Sequence, residues 1–430
     1  MSITRRNLFA IGAVLAGRKA LGQPASTSTT TTTTTSTSTS TGRSTSGKLV
    51  VPNGSVLESK VVGGVRVFHL RAEAVRHEIA PGLTIDTWGY NGTTPGPVLE
   101  ATEGERVRVY VTNALPEATS IHWHGVLVPN GMDGVGGLTQ APIAPGKTFR
   151  YEFAFDRAGT FMYHPHVDEM TQIALGMMGM IVVHPRGGEP HARDYALMAH
   201  EMKVPIGARR VDPLAMTDFN VLVLNGKSFP ATQPLLAQTG ELVRIRFANL
   251  GPMEHHPLHL HGHAFEVVAT DGGMVAASAR RPETTVLVPV GTTRTIEFRA
   301  RAPGDWPLHC HMTHHAMNQM GHDAANLLGA DTRGLDAELG RVVPGSMTMG
   351  ASGMDEMMAM RMQQPANSIA MLGGDGPHGR ISMGGMFTLL KVRDRLSGDA
   401  DPGWYSAPAG SMAAEATAAD LARDGIDPKT

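Results

Sequence analysis

The residues able to do chemistry in this chain are concentrated in a few short segments. Its 430 residues hold one cysteine and 20 histidines. Cys310 sits in Leu308-His309-Cys310-His311. On an extended strand residues i and i+2 face the same way, so His309 and His311 share one face and Cys310 takes the other. Three more His-x-His pairs, His122/His124, His164/His166 and His259/His261, bring the total on such strands to eight imidazoles. Eight imidazoles aimed at one place can hold a cluster of metal ions. On the Cys310 side, His256 lies upstream and His315 and Met320 lie downstream. Two imidazoles, a thiolate and a weak thioether are the donors of a blue-copper electron-transfer site. Zinc would call for more cysteine or a closed tetrahedral set. A lone cysteine cannot form an intramolecular disulfide, which further favours a ligand role for Cys310.

Something must hold these strands in register. From about Lys48 the sequence runs in short alternating stretches such as Arg106–Val111 and Leu242–Phe247, separated by turn signals at Asn91-Gly92, Pro145-Gly146 and Pro303-Gly304. That pattern predicts half-buried strands. The region also looks duplicated. Val98–Val107 resembles Leu235–Val243, and each is followed by two His-rich strands. The expectation is an all-β chain of two β-sandwich domains, at 48–190 and 191–325. Residues 326–430 read as a Gly- and Met-rich C-terminal extension.

The flanks suggest transport and metal handling. Thr4-Arg5-Arg6-Asn7-Leu8-Phe9 and the apolar stretch behind it form a twin-arginine pattern, so residues 1–25 are expected to be a signal peptide. This predicts a periplasmic or extracellular protein. Residues 26–47 are mostly Ser and Thr and read as a disordered linker. Net charge is -2, which offers nothing to nucleic acid, and no apolar run is long enough to span a membrane. Ten of the 26 Met fall between Met347 and Met386, and more lie at Met170, Met177, Met178, Met312 and Met317. Thioethers bind cuprous copper well because both are soft. A role for this segment in collecting cuprous ions is therefore one expectation; adaptable apolar filler is the other.

Taken in order, His122-Trp123-His124-Gly125, His164-Pro165-His166, His256-x-x-His259-x-His261-Gly262 and His309-Cys310-His311-x-x-x-His315-x-x-x-x-Met320 resemble the motifs of the multicopper oxidases, especially two-domain members of the small-laccase type. The likeness covers roughly residues 80–325. It implies Greek-key cupredoxin-like (plastocyanin-like) domains and four coppers per functional unit. The type 1 ligands would be His256, Cys310, His315 and Met320. The type 2 ligands would be His122 and His259. The type 3 ligands would be His124, His164, His166, His261, His309 and His311. Asp133, in Gly131-Met132-Asp133-Gly134, would assist proton delivery, although Asp-Gly is also a common turn pair.

The resemblance implies an oxidase that takes electrons from a donor at type 1 copper and reduces O2 to water at the cluster, through Cys310, His309 and His311. The donor stays open among phenols, aromatic amines, cuprous ion and manganous ion. Each domain offers four cluster histidines, so neighbouring subunits could complete each other's clusters; similar two-domain oxidases are trimers, and a homotrimer is expected. Two other readings remain. A copper nitrite reductase needs fewer cluster histidines and carries its blue-copper cysteine in the first domain. A copper-binding or copper-resistance protein without turnover would not need four His pairs.

Overall fold

The computed structural model describes residues 48–188, 193–319 and 365–429, with Gly334, Glu338, Arg341 and Val342. The chain divides into Met1–Arg43 and Ser44–Thr430, and the description below concerns the second unit alone. The expected signal peptide, the Ser/Thr tract, Met320 and the run Met347–Met362 lie outside the described residues. Among the described residues no helix is long and apolar enough to cross a membrane.

Strands dominate, and they form two sandwiches. In the first, Val65–Ala80 pairs with Leu83–Tyr90 and Arg106–Asn113, and Thr148–Ala154 extends that sheet. The facing sheet runs Leu99–Thr102, Gly179–His184, Gly159–His164, His122–His124. Alternation explains the layer between them. In Arg106–Asn113, Val107, Val109 and Val111 turn inward with Trp123, Tyr151 and Phe153. Arg106 and Arg108 turn out and pair with Glu152.

The second sandwich repeats the plan. One sheet contains Arg193–Met202, Leu242–Asn249, Thr292–Arg299 and Phe265–Thr270. The other runs Leu235–Gln238, Phe387–Arg393, Gly304–Cys310, His256–Leu260, Thr285–Val288. Phe387–Arg393 lies parallel to Leu235–Gln238 and antiparallel to Gly304–Cys310, as Gly179–His184 lies parallel to Leu99–Thr102 and antiparallel to Gly159–His164. The expected extension is therefore partly core. A strand of the second sandwich comes after residue 386, and the Met-rich stretch interrupts that sandwich instead of trailing it. The physical reason is that a strand flanked on both sides by backbone partners cannot be omitted without leaving a row of unpaired N–H and C=O groups.

Leu242–Asn249 departs from its expected half-exposure: seven of its eight residues are buried. Its polar face turns toward the first sandwich. Arg246 makes a two-pronged ion pair with Asp194, at 2.8 Å from Nε to Oδ1 and 2.8 Å from Nη2 to Oδ2. Its Nη1 also donates to Thr160 Oγ1 in the first sandwich at 3.0 Å. Around this pair lies an apolar layer shared by both sandwiches, with Met162, Ile173, Met178, Met180 and Val182 against Ala196, Met198, Ala248 and Leu250. Met177 and Met178 are fully buried in cores, so they are packing residues and not members of a copper-collecting surface.

A guanidinium left alone in that layer would be costly, because a buried charge without its partner loses hydration for nothing. Asp194→Ala is expected to lower unfolding stability by about 3–5 kcal/mol. Urea denaturation checks this, and a loss below about 1 kcal/mol, the range of an exposed pair, would show that the pair is not buried in solution.

Candidate metal centres

Two metal centres can be built from the strand Gly304–Cys310 and its neighbours. Its antiparallel partner His256–Leu260 sets Leu258 opposite Cys310 and His259 opposite His309. The sulfur of Cys310 thus enters the sandwich core, and His309 and His311 look the other way.

On the core side, Cys310 Sγ lies 3.8 Å from His256 Nδ1 and 3.5 Å from His315 Nδ1, and the two nitrogens are 3.2 Å apart. All three residues are buried. These spacings suit three ligands around one ion with bonds of about 2.0–2.3 Å. The donor set, two imidazoles and one sulfur, suits copper. Burial pushes the Cys310 thiol up to about 12, so without a bound cation it is a neutral thiol at neutral pH. The neighbours His255 and His314 are exposed, and His255 Nδ1 accepts from Val290 N, so the structure brings His256 and His315, not them, to the sulfur.

The pocket wall includes residues that the sequence reading did not single out. Cys310 N donates to Met386 O, and Met386 N donates to His315 O. Gly385 has φ +56°, and a Cβ there would stand 2.3 Å from His315 O. Asn318 ties this wall together, with Nδ2 donating to Phe229 O and Oδ1 accepting from Gly385 N. Glu201 is the other unpredicted neighbour. Its Oε2 is 3.2 Å from His256 Nε2, and neither side chain is exposed. Burial acts to raise the Glu201 carboxyl, but His256, His200 and the Met253 N–H outweigh it and leave it below its usual value. The only signal for Glu201 was a single acid in an apolar run, Ala196–Met202, which gives no hint of its partner.

The other side carries imidazoles in two sets of four. In the first sandwich His122, His124 and His164 place ligand atoms within 4.8 Å of one another. His166 joins them, with its ring 5.7 Å from that of His122. In the second sandwich the His259 ring lies 4.8 Å from His261, 5.7 Å from His309 and 5.5 Å from His311. Among the described residues, the ring contacts between these histidines stay within each set of four, and His309 also stacks on Phe387.

Carbonyl oxygens fix the ring orientation. Nδ1 of His122, His164, His259 and His309 faces the backbone oxygen of Asp133, Pro165, Thr284 and Cys310, at 2.8–2.9 Å. A carbonyl can only accept, so each Nδ1 carries the proton and each Nε2 is free to bind metal. In the Cys310 pocket the polarity is reversed: Glu201 occupies His256 Nε2 and leaves Nδ1 for the ion. Asp133 approaches His122 through its carboxylate as well, at 3.4 Å. Gly134 permits this turn, since a Cβ there would stand 1.6 Å from Ile121 O and φ is +91°. His263 packs on Phe298 and Trp306 and faces His261 O, outside both sets.

Fold and donor sets together define a copper protein of cupredoxin build, with a sulfur site and an imidazole site back to back. Comparison with known proteins narrows the class. Two multicopper oxidase profiles match residues 72–188 and 205–327. Laccase-1 of Botryotinia fuckeliana is 34% identical over 207 residues, 45% of this chain and 36% of that protein. Copper resistance protein A of Pseudomonas syringae pv. tomato is 29% identical over 235 residues, 43% of this chain and 38% of that one. The chain therefore matches less than half the length of either relative. Among solved structures, the blue copper oxidase from Nitrosomonas europaea aligns with a TM-score of 0.56 and 26% identity, over 76% of this chain and 85% of that one. The multicopper oxidase mgLAC gives 0.55 and 34%, over 60% and 82%. The chain belongs to the multicopper oxidase family.

Burial also decides how the metal-free protein responds to acid. It pulls the His164 imidazole down to about 3, and those of His315 and His200 down to about 4. In the unfolded chain such groups titrate near 6.5. Between roughly pH 6.5 and 4 the unfolded state therefore binds more protons, and stability falls as pH falls. Chelator-treated protein should show a lower urea midpoint at pH 5 than at pH 7. An equal or higher midpoint at pH 5 would contradict the burial of these rings.

Proposed function

We propose that the protein is a multicopper oxidase that couples one-electron oxidation of a donor to the four-electron reduction of O2 to water. The observation that carries this reading is a single strand with Cys310 in a His-Cys-His pocket on one face and His309 and His311 in a four-imidazole set on the other. Copper held in these pockets supplies one-electron storage, and four ions match the four electrons that O2 requires. His256, Cys310 and His315 hold the donor-side ion, with Met320 as its weak ligand. His122 and His259 hold the type 2 ion. His124, His164, His166, His261, His309 and His311 hold the type 3 pair. The backbone of three consecutive residues joins the sulfur to two imidazoles and gives the shortest covalent path between the pockets. Asp133, half-exposed beside His122, assists proton delivery at the edge of the cluster.

The donor is an aromatic or phenolic compound or cuprous ion; the likeness to laccases and to a copper resistance protein supports both. The twin-arginine pattern supports export to the periplasm or beyond. A protein that only carried copper would have use for the Cys310 pocket but not for eight clustered imidazoles. Copper reconstitution tests the reading directly. The wild type should turn intensely blue and consume O2 with a phenolic or cuprous donor. Cys310→Ser should lose the colour and drop donor oxidation to background while the histidine sets still bind copper. Asp133→Asn should keep the colour and slow O2 uptake. A blue Cys310→Ser protein, or a blue wild type that consumes no O2 with any donor, would sink the proposal.

Assembly completes the reading. Each sandwich presents four imidazoles, and among the described residues no histidine ring contact joins one set to the other. A full cluster needs a first sandwich facing a second, and head-to-tail contacts form a ring where the rotation closes. The two-domain oxidases that this chain resembles are trimers, and that likeness supports a homotrimer with clusters between subunits. Sedimentation of copper-loaded protein should give a trimer. A monomer with full copper content and full activity would defeat this arrangement.

A further inference from the structure

We propose that Glu201 is a positioning residue that sets both the orientation of His256 and the redox poise of the Cys310 site. The inference rests on the reading that Cys310, His256 and His315 hold copper. Glu201 comes from the strand Arg193–Met202, in the sheet opposite the one that carries His256 and Cys310. It is completely buried, and each of its oxygens has a defined task. Oε1 accepts from Met253 N at 3.0 Å and from Glu254 N at 2.8 Å. Oε2 meets His256 Nε2 at 3.2 Å. Three donors converging on two oxygens match a carboxylate, which accepts and does not donate.

The loop that receives it is shaped for it. Asn249 Nδ2 donates to Glu254 O, and Asn249 Oδ1 accepts from Gly251 N, which pins both ends of the turn. At Gly251 a Cβ would stand 1.8 Å from Glu201 Oε2 and 2.5 Å from Oε1. Glycine at this position leaves the room that the carboxylate fills. Asn249, Gly251 and Glu201 thus form a cradle whose product is one oriented imidazole, with Nε2 held and Nδ1 aimed at the sulfur.

Two consequences follow from elementary chemistry. A hydrogen bond from His256 to an anion makes the imidazole a stronger donor. A fixed negative charge in a low-dielectric core favours the more positive state of a nearby ion. Both stabilise cupric over cuprous copper, so Glu201 holds the potential of this site down.

The experiment is a redox titration of copper-loaded protein against one-electron dyes, followed by the visible absorption of the cupric form. Glu201→Gln keeps an acceptor oxygen for His256 and removes the charge. It should retain the absorption band and shift the equilibrium toward the cuprous form by tenfold or more, which is 59 mV for one electron. Gly251→Ala, which displaces the carboxylate from the loop side, should shift the equilibrium in the same direction and weaken the band. Glu201→Asp, which keeps the charge, should restore most of the wild-type poise and serves as the folded control. A Glu201→Gln potential within twofold of the wild type would overturn the proposal, and so would a Glu201→Asp shift as large as that of Glu201→Gln. A wild type with no absorption band would instead remove the copper reading beneath it.

Discussion

Everything in this molecule hangs on the two-residue period of one strand. Because successive side chains alternate, Leu308-His309-Cys310-His311 cannot bury its sulfur without presenting its imidazoles on the opposite face. The fold accommodates that constraint by placing the strand between Phe387–Arg393 and His256–Leu260. The first neighbour supplies the wall behind Cys310, and the second supplies His256 on the sulfur side and His259 and His261 on the other. Shifting the register by one residue would exchange the two chemistries and place the sulfur among the imidazoles.

Several polar groups in the interior are held by oriented partners. Arg246, held by Asp194, reaches Thr160 across the junction of the sandwiches, Glu201 secures His256, and backbone oxygens fix four imidazoles on the far face. The same device, a polar group fixed by a carbonyl or carboxylate, therefore serves packing at the junction of the sandwiches and ligand orientation at the metal sites. Burial lowers the basicity of His164 and His315, which keeps them neutral and available as ligands well below neutral pH.

The duplicated architecture explains the position of the Met-rich stretch. In the first sandwich, residues 165–178 connect the strand Gly159–His164 to its neighbour Gly179–His184. In the second, residues 311–386 make the equivalent connection from Gly304–Cys310 to Phe387–Arg393. The second connection starts and ends at the wall of the Cys310 pocket, where Gly385 lies against His315 O. In sequence the Met-rich segment falls between two strands of one sheet, and the described ends of the connection are fixed by hydrogen bonds at Asn318 and Met386.

The sequence by itself singled out the histidines and the cysteine that the structure gathers into the Cys310 pocket and the two imidazole sets. His-x-His spacing on alternating segments is a local property, legible without any fold, and so were the duplicated plan and the all-β class. Choosing His256 over His255 and His315 over His314 needed the motif spacing, and burial beside Cys310 is the physical reason for it. Part of what was missed had a signal: Gly384-Gly385-Met386-Phe387-Thr388-Leu389-Leu390 echoes Gly176-Met177-Met178-Gly179-Met180-Ile181-Val182, so the last strand could have been found by extending the duplication. Only the tertiary structure decided the rest. Glu201 is 55 residues from His256 in the chain and Asp194 is 52 from Arg246. Neither pair follows a local period, because their partnership depends on which sheets face each other. Likewise, Met178 became core and Leu242–Asn249 lost its exposed face because the other sandwich covers them, and no stretch of sequence announces what will lie across an interface.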